Sequence, residues 1–113
     1  MVVAQRGKRT ATVQGEISFA RGFRLIVRER LSMDEGTVVI EDYGYEVWRD
    51  VDKIVWYDAQ PHPDDPSLVS THPHHKHVLP DIKRHRLPAP AMKFTEPNLP
   101  ALIREVEMLL SQA

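Results

Sequence analysis

Histidine is the residue type whose number and spacing in this sequence point most directly to chemistry. All six histidines lie between residues 61 and 86, and four of them fall within the segment 72–77, which reads HPHHKH. An imidazole has an unperturbed pKa of about 6.5, so it can accept or donate a proton near neutral pH. Two histidines in different environments can share the roles of general base and general acid, which cleavage of RNA through its own 2′-hydroxyl requires. The segment therefore predicts acid–base chemistry on RNA.

The residues expected to carry this chemistry fall into two groups. The candidate catalytic residues are Asp58, His62, His74, His75, Lys76 and His77. The candidate RNA-binding residues are His72, Arg84 and Arg86. In this scheme two of His74, His75 and His77 transfer the protons. Lys76 stabilises the phosphorane, Asp58 orients one imidazole, and Arg84 and Arg86 hold flanking phosphates. Because RNA supplies its own nucleophile, the scheme needs no metal, and no cofactor is predicted.

Two other interpretations of the same histidines remain open. Imidazole also binds zinc, copper, nickel and iron, and alternate residues of an extended segment share one face. His75 and His77 form one such pair and His72 and His74 another, and Asp58 or His62 could complete a divalent metal site such as a zinc site. No Cys-x-x-Cys or His-Glu-x-x-His pattern supports that reading. The third interpretation is a non-catalytic interaction module, whose loop is ordered by proline and histidine and docks a partner.

The composition narrows the class of protein. The 113 residues contain no cysteine, which excludes disulfides, thiolate zinc sites and a cysteine nucleophile. The formal net charge is -1, so any argument from charge has to be local. No signal-peptide core and no apolar run long enough to span a bilayer is present, so we expect a cytoplasmic protein without membrane contact.

The elements that position the histidines are predicted from residue periodicity. Between residues 23 and 31 apolar residues alternate with arginines, which is typical of a half-buried strand. The segment 33–36, MDEG, is typical of a turn, and Gly44 predicts a bulge or bend in the following strand. A further strand is expected to end at Asp58. Residues 11–58 thus predict a meandering antiparallel sheet of four to five strands.

One helix is predicted at the end of the chain. Leu102, Ile103 and Val106 belong to an apolar stripe at helical spacing. Asn98 is a suitable N-cap, and Pro100 is tolerated in the first turn. All nine prolines follow residue 60. We therefore expect one α+β domain over residues 1–113, with 1–10 flexible, 11–58 forming the sheet, 59–97 a long ordered histidine- and proline-rich loop, and 98–112 a helix packed on the sheet.

Two runs in this sequence resemble the signature of the TumE family of toxin–antitoxin proteins. They are 56–62, WYDAQPH, and 73–77, PHHKH. The run 43–46, YGYE, also fits the tyrosine-bearing strand of that family. The resemblance implies a small toxin with a helix-turn-helix antitoxin as its partner, and it matches Asp58, His62 and 74–77 to the signature positions. The oligomeric state is open, because an exposed sheet edge would allow a dimer.

Overall fold

The computed structural model describes residues 1–5, 9–59, 74–82 and 85–113. Seven strands and one α-helix are present in these residues: β1 Val2–Gln5, β2 Thr10–Ser18, β3 Phe23–Asp34, β4 Thr37–Arg49, β5 Asp52–Asp58, β6 His75–Val78, β7 Arg86–Pro88 and α1 Leu99–Gln112. A short 3-10 helix, Ala20–Gly22, connects β2 to β3.

The strands form one antiparallel meander in the order β1-β2-β3-β4-β5-β6-β7. The α+β class, the antiparallel sheet and the packed C-terminal helix are confirmed, but the prediction of four to five strands is wrong. The additional strands are short: β1 and β7 form the two edges of the sheet, and β6 lies between β5 and β7. β1 lies within the predicted flexible segment, and β6 and β7 lie within the predicted loop. Such short strands are stabilised by hydrogen bonds to a neighbouring strand, so their own residue patterns give little sign of them.

The hairpin between β3 and β4 follows the predicted turn chemistry. Glu35 and Gly36 have φ angles of 50° and 79°, and Asp34 pairs with Thr37. Two successive positive φ angles are those of a type I′ turn, whose twist matches that of the flanking strands. Glycine adopts its positive φ without a steric penalty. The turn brings the longest two strands of the sheet into register.

Helix α1 covers one face of the sheet, here called the helix face. In the first half of β3 the alternate residues Phe23, Leu25 and Val27 are buried there. They form one apolar cluster with Leu102 and Val106 of the helix. The period of two in the strand and the apolar stripe of the helix therefore produce this core together. The opposite face of the sheet, here called the distal face, carries the alternate residues of the same strands.

Asn98 has the predicted position at the start of α1 but a different role. Its side chain makes no capping hydrogen bond to the helix. Instead, its amide nitrogen donates to the Tyr45 hydroxyl over 3.0 Å, and its oxygen accepts from the Lys93 backbone amide over 2.8 Å. Asn98 is only 1% exposed, so its side chain is satisfied within the protein and joins the helix start to β4. Pro100 lies in the first turn of the helix as predicted.

Candidate functional site: a buried Asp-His-His cluster

The pairing of β5 with β6 creates the candidate site. Asp58 is the register partner of His75, and Trp56 is the register partner of His77. Side chains that are opposite each other in an antiparallel pair project to the same face, and the face alternates along each strand. Asp58, His75 and His77 consequently meet on the distal face.

One carboxylate oxygen connects both imidazoles. Asp58 Oδ1 lies 3.1 Å from His75 Nδ1 and 3.2 Å from His77 Nε2. An ionised carboxylate accepts hydrogen bonds but cannot donate them, so both of these ring nitrogens carry a hydrogen. In a neutral imidazole the other ring nitrogen is then the one that can accept a proton. The geometry thus sets the tautomer of both histidines.

The cluster is almost completely shielded from solvent. The exposed fractions are 5% for Asp58, 0% for His75 and 2% for His77. Burial by itself raises the pKa of the Asp58 carboxyl, but the hydrogen bonds and the electrostatic attraction of the His77 and His75 rings outweigh burial. The net effect is a pKa of Asp58 below its usual value. The carboxylate therefore remains ionised at neutral pH, because its imidazole partners compensate the lost hydration.

An aromatic ring and a cation flank the cluster. The ring of His77 stacks on Trp56 with a centroid separation of 4.4 Å and an interplanar angle of 22°. On the other side Arg86 of β7 is the register partner of His77. Its Nε is buried and has no hydrogen-bond partner within the described part of the chain. Of the predicted RNA-binding residues, Arg86 is therefore next to the cluster.

Lys76 lies on the helix face, opposite to its two neighbouring histidines. Its ammonium nitrogen is 2.7 Å from Glu105 Oε1 of α1 and 5.6 Å from the centroid of the Tyr57 ring. Burial lowers the pKa of Lys76, whereas the bond to Glu105 and the contact with Tyr57 raise it more, so the net pKa is above its usual value. The structure therefore does not bring this ammonium to the His75–His77 side of the sheet.

His74 also lies on the helix face, where it belongs to a second polar cluster. Its Nδ1 is 2.6 Å from the Tyr43 hydroxyl, and its ring lies against Phe94 with centroids 4.4 Å apart. Tyr43 stacks on Tyr45 at a centroid separation of 4.8 Å, and the Tyr45 hydroxyl donates a hydrogen bond to Glu29. Burial, with smaller contributions from nearby negative charges, raises the pKa of the Tyr43 hydroxyl above its usual value.

The sequence analysis does not predict the polar contacts of this second cluster. The available signal was that Tyr43 and Tyr45 alternate on one strand, and therefore share a face. Their partners Glu29 and Asn98 are distant in sequence, so no local pattern could indicate them. The predicted site residues His62, His72 and Arg84 lie outside the described residues.

The Asp-His-His cluster also has the composition of a metal site. The potential ligand atoms of Asp58, His75 and His77 all lie within 4.8 Å of one another. Imidazole nitrogens and carboxylate oxygens are common zinc ligands, but a closed zinc site takes four. Among the residues that the structure describes, no fourth histidine, aspartate or glutamate belongs to this group. The three residues would fit a metal site with one open coordination position, or part of a four-ligand site.

The fold and the site together define a small α+β protein whose meandering sheet buries an Asp-His-His cluster beside its last strands. The family model described as toxin TumE matches residues 2–110. The chain therefore belongs to the toxin TumE family, as the signature runs predicted, and membership supports a toxin-like role with an antitoxin as partner. Comparisons with curated proteins and with solved structures give no significant match. Within the described residues, no helix has the length and apolar character needed to cross a membrane.

Proposed function

We propose that this protein is the toxin of a toxin–antitoxin pair and that it cleaves RNA without a metal through Asp58, His75 and His77. The observation that carries the proposal is the single carboxylate oxygen hydrogen-bonded to both imidazoles. The same carboxylate would stabilise an imidazolium when either ring takes up a proton. General acid–base catalysis at pH 7 needs two groups that lie close to each other, one that accepts a proton and one that donates a proton.

The proposed reaction needs only proton transfers and a phosphate exchange. One imidazole removes the proton from the RNA 2′-hydroxyl, and the 2′-oxygen attacks the neighbouring phosphorus. The bond from phosphorus to the 5′-oxygen breaks, and the second imidazole, present as imidazolium, gives its proton to that oxygen. The products are a 2′,3′-cyclic phosphate and a free 5′-hydroxyl. Since His75 and His77 are buried, the RNA-bound state has to expose them to the substrate.

Arg86 replaces Lys76 in this proposal as the cation that faces the phosphate. The ammonium of Lys76 is held by Glu105 on the helix face, whereas Arg86 is next to His77 and has a buried donor nitrogen without a partner in the described residues. A guanidinium can bind phosphate oxygens through two parallel hydrogen bonds. In this scheme Lys76 links β6 to α1 and contributes to stability. His62, His72, His74 and Arg84 stay candidates without a placed role.

An RNA cleavage assay in EDTA tests the proposal directly. His75→Asn and His77→Asn should each lower the cleavage rate by about 10²–10⁴-fold, the contribution of one general acid or base. His85→Asn is the matched control, because His85 is exposed and its ring contacts the backbone oxygen of Leu79 at 3.0 Å. Circular dichroism and thermal melts verify that each variant is folded. Full activity in both cluster variants would remove the mechanism.

A metal-binding function is the second candidate, and the close approach of three ligand atoms favours it. Elemental analysis of the untagged protein and zinc titration by calorimetry distinguish the two functions. Stoichiometric metal that is lost in His75→Asn and His77→Asn, with activity abolished by EDTA, would make the histidines ligands. Cleavage that continues in EDTA would support the acid–base function.

The partner and cellular location extend this proposal. We expect a helix-turn-helix antitoxin to bind the protein and suppress its toxicity in the cytoplasm, where RNA is present. Co-expression of the two proteins should restore growth, and co-purification should show a stable complex. If variants of all the cluster residues kept both toxicity and antitoxin binding, a non-catalytic interaction module would replace the RNase.

A further inference from the structure

A cleft on the distal face adjoins the Asp-His-His cluster. Its volume is about 370 Å³, and its lining includes Gln14, Arg28, Gly44, Glu46, Lys53 and Trp56. Gly44 is the register partner of Asp58, and Trp56 stacks on His77, so the cleft lies on the same face as the buried cluster and beside it. Helix α1 packs on the other face of the sheet.

Gly44 provides the space that shapes the cleft. The predicted bulge at this position is not observed, since Gly44 is in regular register with Arg28 on one side and Asp58 on the other. A Cβ atom at Gly44 would lie only 2.7 Å from Arg28 Nη2 and 3.3 Å from its Cζ. The missing side chain therefore allows the guanidinium to lie across β4 toward the cluster. Asp58 and Arg28 are two strands apart, which corresponds to about 10 Å between their backbones.

The guanidinium of Arg28 is available for a ligand. Arg28 is exposed, and within the described chain its side chain makes no hydrogen bond and no ion pair. Arg24, on the same strand and face, is by contrast bound to Glu16 at 3.3 Å and to the backbone oxygen of Asp50 at 3.0 Å. Because the planar donors of an arginine match the oxygens of a phosphate, Arg28 is suited to bind a phosphodiester.

The opposite wall of the cleft supplies an aromatic surface and a second cation. Trp56 is partly exposed, and the ammonium nitrogen of Lys53 lies 4.8 Å from the centroid of its ring. Lys53 is also 4.0 Å from Glu46, so its charge is partly compensated. Single-stranded nucleic acids are bound by this combination of cations that contact phosphates and aromatic rings that stack on bases.

We propose that this cleft binds single-stranded RNA, with Arg28 on a phosphate that neighbours the scissile one and Trp56 against a base. The proposal rests on the RNase function above, and it assigns the face of the sheet along which the RNA runs. From Arg28 the RNA crosses Gly44 and reaches the position of Asp58, His75 and His77, with Arg86 beyond them.

Fluorescence anisotropy with a labelled single-stranded 2′-O-methyl oligonucleotide tests the cleft with the full-length protein. The probe lacks the 2′-hydroxyl nucleophile, so binding is measured without cleavage. Arg28→Gln should weaken binding about tenfold, as expected for the loss of a charge-assisted hydrogen bond. It should also reduce the dependence of log K on log salt concentration by about 0.7, the value for one contact to a single strand. Arg30→Gln is the matched control, because Arg30 is exposed two residues further along β3.

The outcomes separate this proposal from the RNase proposal. Equal affinity and equal salt dependence in Arg28→Gln and Arg30→Gln would overturn the cleft, as would the absence of oligonucleotide binding by the unmodified protein. If the unmodified protein cleaves RNA and Arg28→Gln binds the oligonucleotide as tightly as the unmodified protein does, the RNase function stands and the cleft is rejected. If Arg28→Gln weakens binding but the unmodified protein cleaves no RNA, the cleft stands as a binding site and the RNase function is rejected. Gly44→Val provides a second variant, since its side chain would displace the guanidinium and should also weaken binding.

Discussion

Replacement of Asp58 is the most informative perturbation of this protein, because a single oxygen satisfies two buried donors. Each hydrogen bond to a charged group contributes about 1.5–3 kcal/mol, and a neutral acceptor gives about half as much. Asp58→Asn, which keeps an oxygen but loses the charge, should therefore lower the free energy of unfolding by about 1.5–3 kcal/mol. Asp58→Ala leaves both imidazole donors without an acceptor and should cost about 2–6 kcal/mol. The latter is a large part of the total of about 5–15 kcal/mol that is usual for a domain.

Urea unfolding at pH 7, followed by circular dichroism, measures these differences. The urea concentration at the midpoint should fall, while the dependence of the free energy of unfolding on urea concentration should stay the same. This combination indicates a loss of stability and not a change in the compactness of the unfolded state. Asp81→Asn and Asp81→Ala are matched controls, since Asp81 is exposed and each should change stability by less than about 0.5 kcal/mol. If Asp58→Ala were no less stable than Asp81→Ala, the two hydrogen bonds would not stabilise the fold.

The pH dependence gives an independent test of the same interaction. The pKa of Asp58 is lowered by its imidazole partners in the folded protein. Its contribution to stability is therefore fully present above the unfolded value of about 3.9 and is lost as the pH falls through the folded value. The stability difference between the wild type and Asp58→Asn should accordingly decrease below about pH 4. A difference that stayed constant down to pH 2 would contradict this assignment.

Three further predictions concern the helix face. Lys76→Met should lower stability by no more than about 1 kcal/mol, because the ion pair with Glu105 is partly exposed, and RNA cleavage should be unchanged. Since the pKa of Lys76 is raised, its contribution to stability is fully present below the unfolded value of about 10.4 and is lost as the pH rises through the higher folded value. Leu102→Ala should cost about 2–5 kcal/mol in urea unfolding, because Leu102 is fully buried, whereas Met108→Ala, at a position 60% exposed, should cost little. Tyrosinate absorbance at 295 nm should increase on unfolding at pH 10, because burial raises the pKa of Tyr45 and of the other two tyrosines above the usual value of about 10. Equal absorbance of the folded and unfolded protein at that pH would refute it.

Much of the fold is encoded in local periodicity. The alternation in β3 predicts a half-buried strand, the MDEG segment predicts its turn, and the apolar stripe near the end predicts α1. These features repeat within a few residues, so the backbone period alone reveals them. The signature runs around Asp58 and His75 likewise indicate the family without knowledge of the fold.

The distribution of the histidine segment over two faces depends on the tertiary structure. Residues 74–77 are all polar, so no contrast between apolar and polar residues indicates which side chains turn inward. The register of β6 on β5 decides it: His75 and His77 join Asp58, while His74 and Lys76 join Tyr43 and Glu105 on the helix face. A shift of one residue would exchange the two sets, because side chains alternate with a period of two.

The roles of single residues at long range also required the three-dimensional fold. Asn98 could be predicted as the residue before α1, but its bond to Tyr45 joins positions 53 residues apart in sequence. Gly44 could be recognised as unusual within a strand, but its proximity to Arg28 follows only from the pairing of β3 with β4. The sequence by itself determined which residues can do chemistry and which local elements carry them. Strand register and packing determined which of those residues meet, because such contacts depend on backbone pairing between distant segments rather than on local residue spacing.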